Sequence, residues 1–92
     1  MALKLKSSSR INLRYALLEA KSKEEVEKTI LDYIGILGWA KARPYFVKSE
    51  DKIILAVERK MLNDVRAAFA LSKNVKVKRV SGTLKGLGVE IN

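Results

Sequence analysis

The chain has 92 residues, 48% of them apolar, which suits one domain with a single modest core. It has no Cys and no His, which excludes a disulfide-stapled fold and removes the commonest metal ligand and general base. Nineteen Lys and Arg against ten Asp and Glu give a net charge of +9, and no apolar run is long enough to span a bilayer, so the expected compartment is the cytoplasm.

Residues 1–9 (MALKLKSSS) read as a flexible basic tail, and residues 10–92 as the folded domain. INLRYALLEA (11–20) alternates Ile11, Leu13, Tyr15 and Leu17 on one side, a strand pattern. SKEE (22–25) is a capping box: Ser22 can accept from the Glu25 N–H while Glu25 reaches back. Val26, Ile30, Tyr33, Ile34 and Leu37 follow at helical spacing, with Gly38 as the predicted stop. Pro44 opens a second strand, PYFVKSE; Glu50-Asp51-Lys52 turns; KIILAVE is the third strand of a hairpin. MLNDVRAAFALSK sets Leu62, Val65, Ala68, Phe69 and Ser72 on one helix face, and Asn74 suits its end. NVKVKRV is the last strand, followed by Ser81-Gly82-Thr83 and a glycine-containing tip.

The order β-α-β-β-α-β predicts an α+β, ferredoxin-like domain. Right-handed crossovers then give a four-stranded antiparallel sheet with both helices on one face, the first and third strands central. Apolar residues occupy both faces of those central strands. Ala16 and Leu18 oppose the Leu13/Tyr15/Leu17 side, and Ile54 and Ala56 oppose Ile53/Leu55/Val57. Ala16, Leu18, Ile54 and Ala56 are therefore expected at a protein interface on the second sheet face, with another subunit or with a second copy of the chain.

The charge is uneven. Residues 73–92 carry +4 and residues 1–20 carry +3, while residues 21–37 carry −1. Basic ends favour a nucleic-acid partner, because Lys and Arg that neutralise phosphates release counterions. The third strand lacks the aromatic and Gly pattern of an RRM, so basic edges, loops and ends are the expected means of contact. A first set is Lys76, Lys78, Arg79 and Lys85 with Ser81, Gly82 and Thr83, where successive N–H groups at a Gly turn would make an anion nest and the hydroxyls would donate. A second set is Arg10, Arg14, Lys41 and Arg43, with Trp39 and Tyr45 bracketing the last two as stacking or packing residues. Gly86 and Gly88 have no expected role beyond ending the domain. No nucleophile stands beside a base, and no P-loop or dinucleotide motif is present, so no catalytic residue is assigned.

WAKARPYFV (39–47), NDVRAAFALSK (63–73) and above all VKRVSGTLKG (77–86) resemble the ribonuclease P protein component 2 family of archaea, over most of residues 10–87. The resemblance implies a subunit of a ribonucleoprotein that removes the 5′ leader from precursor tRNA. It implies cleavage by the RNA component with its own Mg²⁺, no cofactor on the protein, and a TIM-barrel-like protein partner assembled around a dimer of the small subunit. Alternatives on the same sequence are another RNA-binding or ribosomal-type protein, or a protein-interaction module with incidental charge.

Overall fold

The computed structural model describes residues 12–49 and 51–88. Its elements are β1 (Leu13–Glu19), α1 (Lys23–Ala42), β2 (Tyr45–Val47), β3 (Ile53–Glu58), α2 (Leu62–Ser72) and β4 (Lys76–Ser81), with short 3₁₀ turns at Arg59–Met61 and Lys85–Leu87. The strands form one antiparallel sheet in the order β2-β3-β1-β4, so β1 and β3 are central, as the element order requires. This is the ferredoxin-like α+β fold. The expected tail, Ile11 and Glu50 lie outside the described residues.

α1 begins where the capping box places it. Ser22 is extended and its Oγ accepts from the Glu25 N–H at 3.1 Å, with Glu24 and Glu25 in the first turn complementing the helix dipole. Its end differs from expectation. The helix breaks at Gly35 (φ 72, ψ −179), a conformation open almost only to glycine, and then resumes through Gly38 to Ala42. Ala42 is fully buried, and Arg43 caps the helix in the left-handed region with its N–H on the Trp39 carbonyl. Pro44 cannot continue a helix, so the chain turns there into β2. That strand is shorter than its sequence pattern, since only Tyr45–Val47 pairs with β3.

The core lies between the helices and one face of the sheet. Val26 and Ile30 of α1 and Val65 and Phe69 of α2 close onto Ala16, Leu18, Leu55 and Val57. Burying side chains of this size stabilises by about 1.5–3 kcal/mol each. The expected grouping of four residues on the second face is corrected here. Ala16 and Leu18 point under the helices and are buried there; only Ile54 and Ala56 belong to the opposite face, together with Leu13, Tyr15 and Leu17. Alternation along β1 separates its two sides without saying which is covered, and the helices decide it. Ile54 and Ala56 are themselves fully buried, so any contact on that face is made by their taller neighbours.

Candidate nucleic-acid interface

β4 is an edge strand, and a register shift organises its charges. Arg79 lies opposite Leu17 and Val77 opposite Leu18, which leaves Lys78 as an extra residue in a β-bulge. On one side of the bulge Lys76 faces Glu19; on the other Val80 faces Ala16 and Ser81 faces Tyr15. The shift lets both Val77 and Val80 pack on the core while Lys76, Lys78 and Arg79 are all exposed. A plain strand would have placed Val77 and Val80 on opposite faces. The sequence signal for the bulge is that spacing of three between two valines in a strand that otherwise alternates.

The turn after β4 is closed by its own hydroxyls. Ser81 Oγ accepts from the Thr83 N–H at 3.2 Å, and Thr83 Oγ1 accepts from the Gly86 N–H at 3.0 Å. The Leu87 N–H bonds the Leu84 carbonyl and the Gly88 N–H bonds the Lys85 carbonyl, both at 3.0 Å. Of the N–H groups that an anion nest over Ser81–Thr83 would have used, that of Thr83 is thus already taken. Each hydroxyl, having accepted, keeps its own proton to donate outward. Leu87 is buried, so the tip folds back and does not project. Both unexplained glycines acquire a reason. A side chain on Gly86 would overlap Ser81, and Gly88 sits at φ 78.

Arg14, from the second set, joins the first. Its Nη1 donates to the Leu13 carbonyl at 2.9 Å and lies 3.5 Å from where a β-carbon on Gly82 would stand. Gly82, Thr83 and Lys85 are exposed beside it. Lys41 and Arg43 are exposed at the opposite edge of the sheet, just before β2. Arg10 lies outside the described residues. Trp39 is half-buried against the core and serves packing.

One row of the sheet connects the two edges. Tyr45, Ala56, Tyr15 and Ser81 stand directly opposite one another from β2 through β3 and β1 to β4. Tyr45 is 50% exposed while Ala56 beneath it is fully covered. Burial and the neighbouring Tyr15 hydroxyl hold the Tyr45 hydroxyl above its ordinary titration range. The pairing of the two tyrosines across β3 was not legible in the sequence, because it depends on the register of two separate hairpin partners. Among the described residues, no three His, Cys, Asp or Glu side chains gather as a metal site, and no helix is long and apolar enough to cross a membrane.

No family model matches the chain. Two proteins called ribonuclease P protein component 2 are similar to it. The one from Thermococcus gammatolerans is 35% identical, and the one from Thermococcus kodakarensis is 32% identical. Each alignment takes in 71% of this chain and 66% of the relative, so the chain spans just under two thirds of the length of the proteins it matches.

Proposed function

The chain belongs to the ribonuclease P protein component 2 family, and on that premise we propose that it is a non-catalytic, RNA-binding subunit of ribonuclease P. In this reading it supports the catalytic RNA in removing the 5′ leader of precursor tRNA. The observation that carries the proposal is the basic edge built by the β4 bulge and its turn: Lys76, Lys78, Arg79 and Lys85 are all exposed there, with the Ser81 and Thr83 hydroxyls between them. Structured RNA is read largely by shape, phosphate and 2′-OH, and this edge offers charge and hydroxyl donors. Mg²⁺ belongs to the RNA in this reading, and no step is routed through the protein's own side chains. The place of work is the cytoplasm.

Contact with a further protein subunit, TIM-barrel-like by family resemblance, or with a second copy of the chain is proposed at the part of α1 beyond the Gly35 break. Ile36 and Leu37 are 79% and 78% exposed there, with Tyr33 nearby in sequence. Large side chains this exposed are the usual mark of an interface when they occur together.

The test is reconstitution of ribonuclease P RNA with its protein subunits, with and without this chain, at low Mg²⁺. Faster cleavage of precursor tRNA at the 5′ leader junction is the expected result. No gain from adding the chain would reject the assignment.

A further inference from the structure

We propose that an unpaired segment of RNA crosses the helix-free face of the sheet along the Tyr45–Ala56–Tyr15–Ser81 row, with a base stacked on the tyrosine pair and phosphates held at the two ends of the row. This rests on the RNA-binding reading above and adds to it a subsite that reads single strands. The row begins two residues after Arg43 and ends at Ser81, with Arg79 next to it on the same face of β4; Arg14, which alternates onto the covered side with Ala16, reaches only the Gly82 turn beyond the strand end. Cations stand at both ends, and aromatic surface lies between them.

The geometry of the pair follows from the residue between them. Tyr15 and Tyr45 sit on strands that flank β3, so their backbones are about 9–10 Å apart, two strand spacings. Two tyrosines reach each other over that distance only by leaning across the intervening residue. Ala56 is small enough to let them lean, and its complete burial on a helix-free face is what two tyrosines leaning over it would produce. Rings lying over the sheet in this way would turn a face outward, and Tyr45 retains half of its surface. Every base has a π-face, so such a platform accepts single strands with little sequence preference.

The neighbours favour a nucleotide over a protein. The adjacent row, Val47–Ile54–Leu17–Arg79, is apolar but ends in a guanidinium. The carboxylate of Glu58, at the end of β3, accepts from the Lys60 N–H at 3.4 Å and is directed to the following turn. The most exposed large apolar side chains, which a protein would seek, are in the helical layer: Ile36 and Leu37 on α1 and Leu71 on α2.

The probe is a labelled oligoadenylate of about eight nucleotides, compared with a blunt RNA duplex of the same length, titrated with the full chain. Tyr45→Ala and Tyr45→Leu should each weaken oligoadenylate binding about tenfold or more, with duplex binding and the salt dependence unchanged. Tyr45→Phe should retain affinity. Tyr45→Leu keeps an apolar cover over Ala56 without a π-face, so its loss is not a loss of fold. If Tyr45→Leu binds the oligonucleotide like the wild type, which still binds with a steep salt slope, the platform is rejected and the RNA-binding reading stands. If the wild type binds neither RNA, both fall. Self-association that Tyr45→Arg abolishes, with oligonucleotide affinity intact, would assign the platform to a second copy and overturn the proposal.

Discussion

The Ser81 hydroxyl occupies the space that a β-carbon on Gly86 would need. The same oxygen accepts from the Thr83 N–H, so it is fixed and cannot swing aside freely. Gly86→Ala should therefore destabilise the domain by about 1–3 kcal/mol, the usual range for overpacking. Ser81→Ala alone should cost about 0.5–1.5 kcal/mol for its lost hydrogen bond. The double variant should be more stable than the sum of the two, since Ser81→Ala removes the atom that Gly86→Ala collides with. Urea unfolding of the four proteins checks this; simple additivity would mean that the turn adopts another arrangement.

Arg43 holds a left-handed conformation (φ 49) that glycine adopts without cost. Arg43→Gly relieves about 1–2 kcal/mol of backbone strain and returns part of it as unfolded-chain entropy. The expected net is a stabilisation of about 0.5 kcal/mol, read as a rise in melting temperature of about 2–4 °C. RNA affinity should fall in the same variant, because the row of tyrosines loses the cation at its β2 end. A strained arginine kept where glycine would be more stable is the pattern expected of a contact residue. Unchanged RNA affinity in Arg43→Gly would remove Arg43 from the interface.

Salt dependence counts phosphates. Each Lys or Arg that neutralises one contributes roughly 0.7–0.9 to the slope of log affinity against log salt. The triple variant Lys76/Lys78/Arg79→Ala should lower that slope by about 2–3 and weaken binding at every salt concentration. Lys28→Ala is the control: that ammonium sits on α1, paired with Asp32 at 2.9 Å, and its loss should leave the slope unchanged. Equal slopes for the triple variant and the wild type would move the RNA away from β4.

The Tyr45 hydroxyl should titrate above 10.0, first through burial and then through the Tyr15 hydroxyl. Tyr15→Phe removes the second cause and leaves the first, so the titration should move part of the way back. Tyrosinate difference spectra between each protein and its Tyr45→Phe counterpart isolate the signal. The sign of the stability effect follows. The unfolded chain loses this proton first, so the stabilising contribution is complete below pH 10. It is lost as pH rises from the unfolded value through the higher folded one. Tyr45→Phe should flatten the alkaline decline; an unaltered decline would mean that the hydroxyl stands in open water.

The element order was legible because each segment states its own period: two for the strands, 3.6 for the helices, with Ser22 and Pro44 as local punctuation. Where the reading failed, the deciding contact was distant in sequence. Gly38 looked like a stop, but the helix spends its irregularity at Gly35 and continues until Ala42 is buried. Ala16 and Leu18 looked like an exposed second face, but a strand apolar on both sides does not record which side the helices cover. The basic cluster on β4 was legible as composition. Its presentation depends on a bulge that only pairing with β1 reveals. The turn is a local exception: the Ser81 and Thr83 oxygens close the backbone through bonds two and three residues along the chain, and their protons stay available to donate.

Ile36 and Leu37 give the last expectation. At 79% and 78% exposure they contribute little to the core, so Ile36→Lys and Leu37→Glu should change stability by no more than about 0.5 kcal/mol. Their exposure follows the break at Gly35, whose φ of 72 no other residue adopts comfortably. Gly35→Ala should therefore cost about 1–3 kcal/mol although a β-carbon there would touch nothing within 4 Å. The penalty comes from conformation and not from collision. If these side chains meet another protein, the two surface variants should retain RNA binding and lose association with the partner subunit or with a second copy. Sedimentation of the reconstituted proteins measures the association, and filter binding measures the RNA. Retained association in both surface variants would place the protein contact elsewhere on the domain.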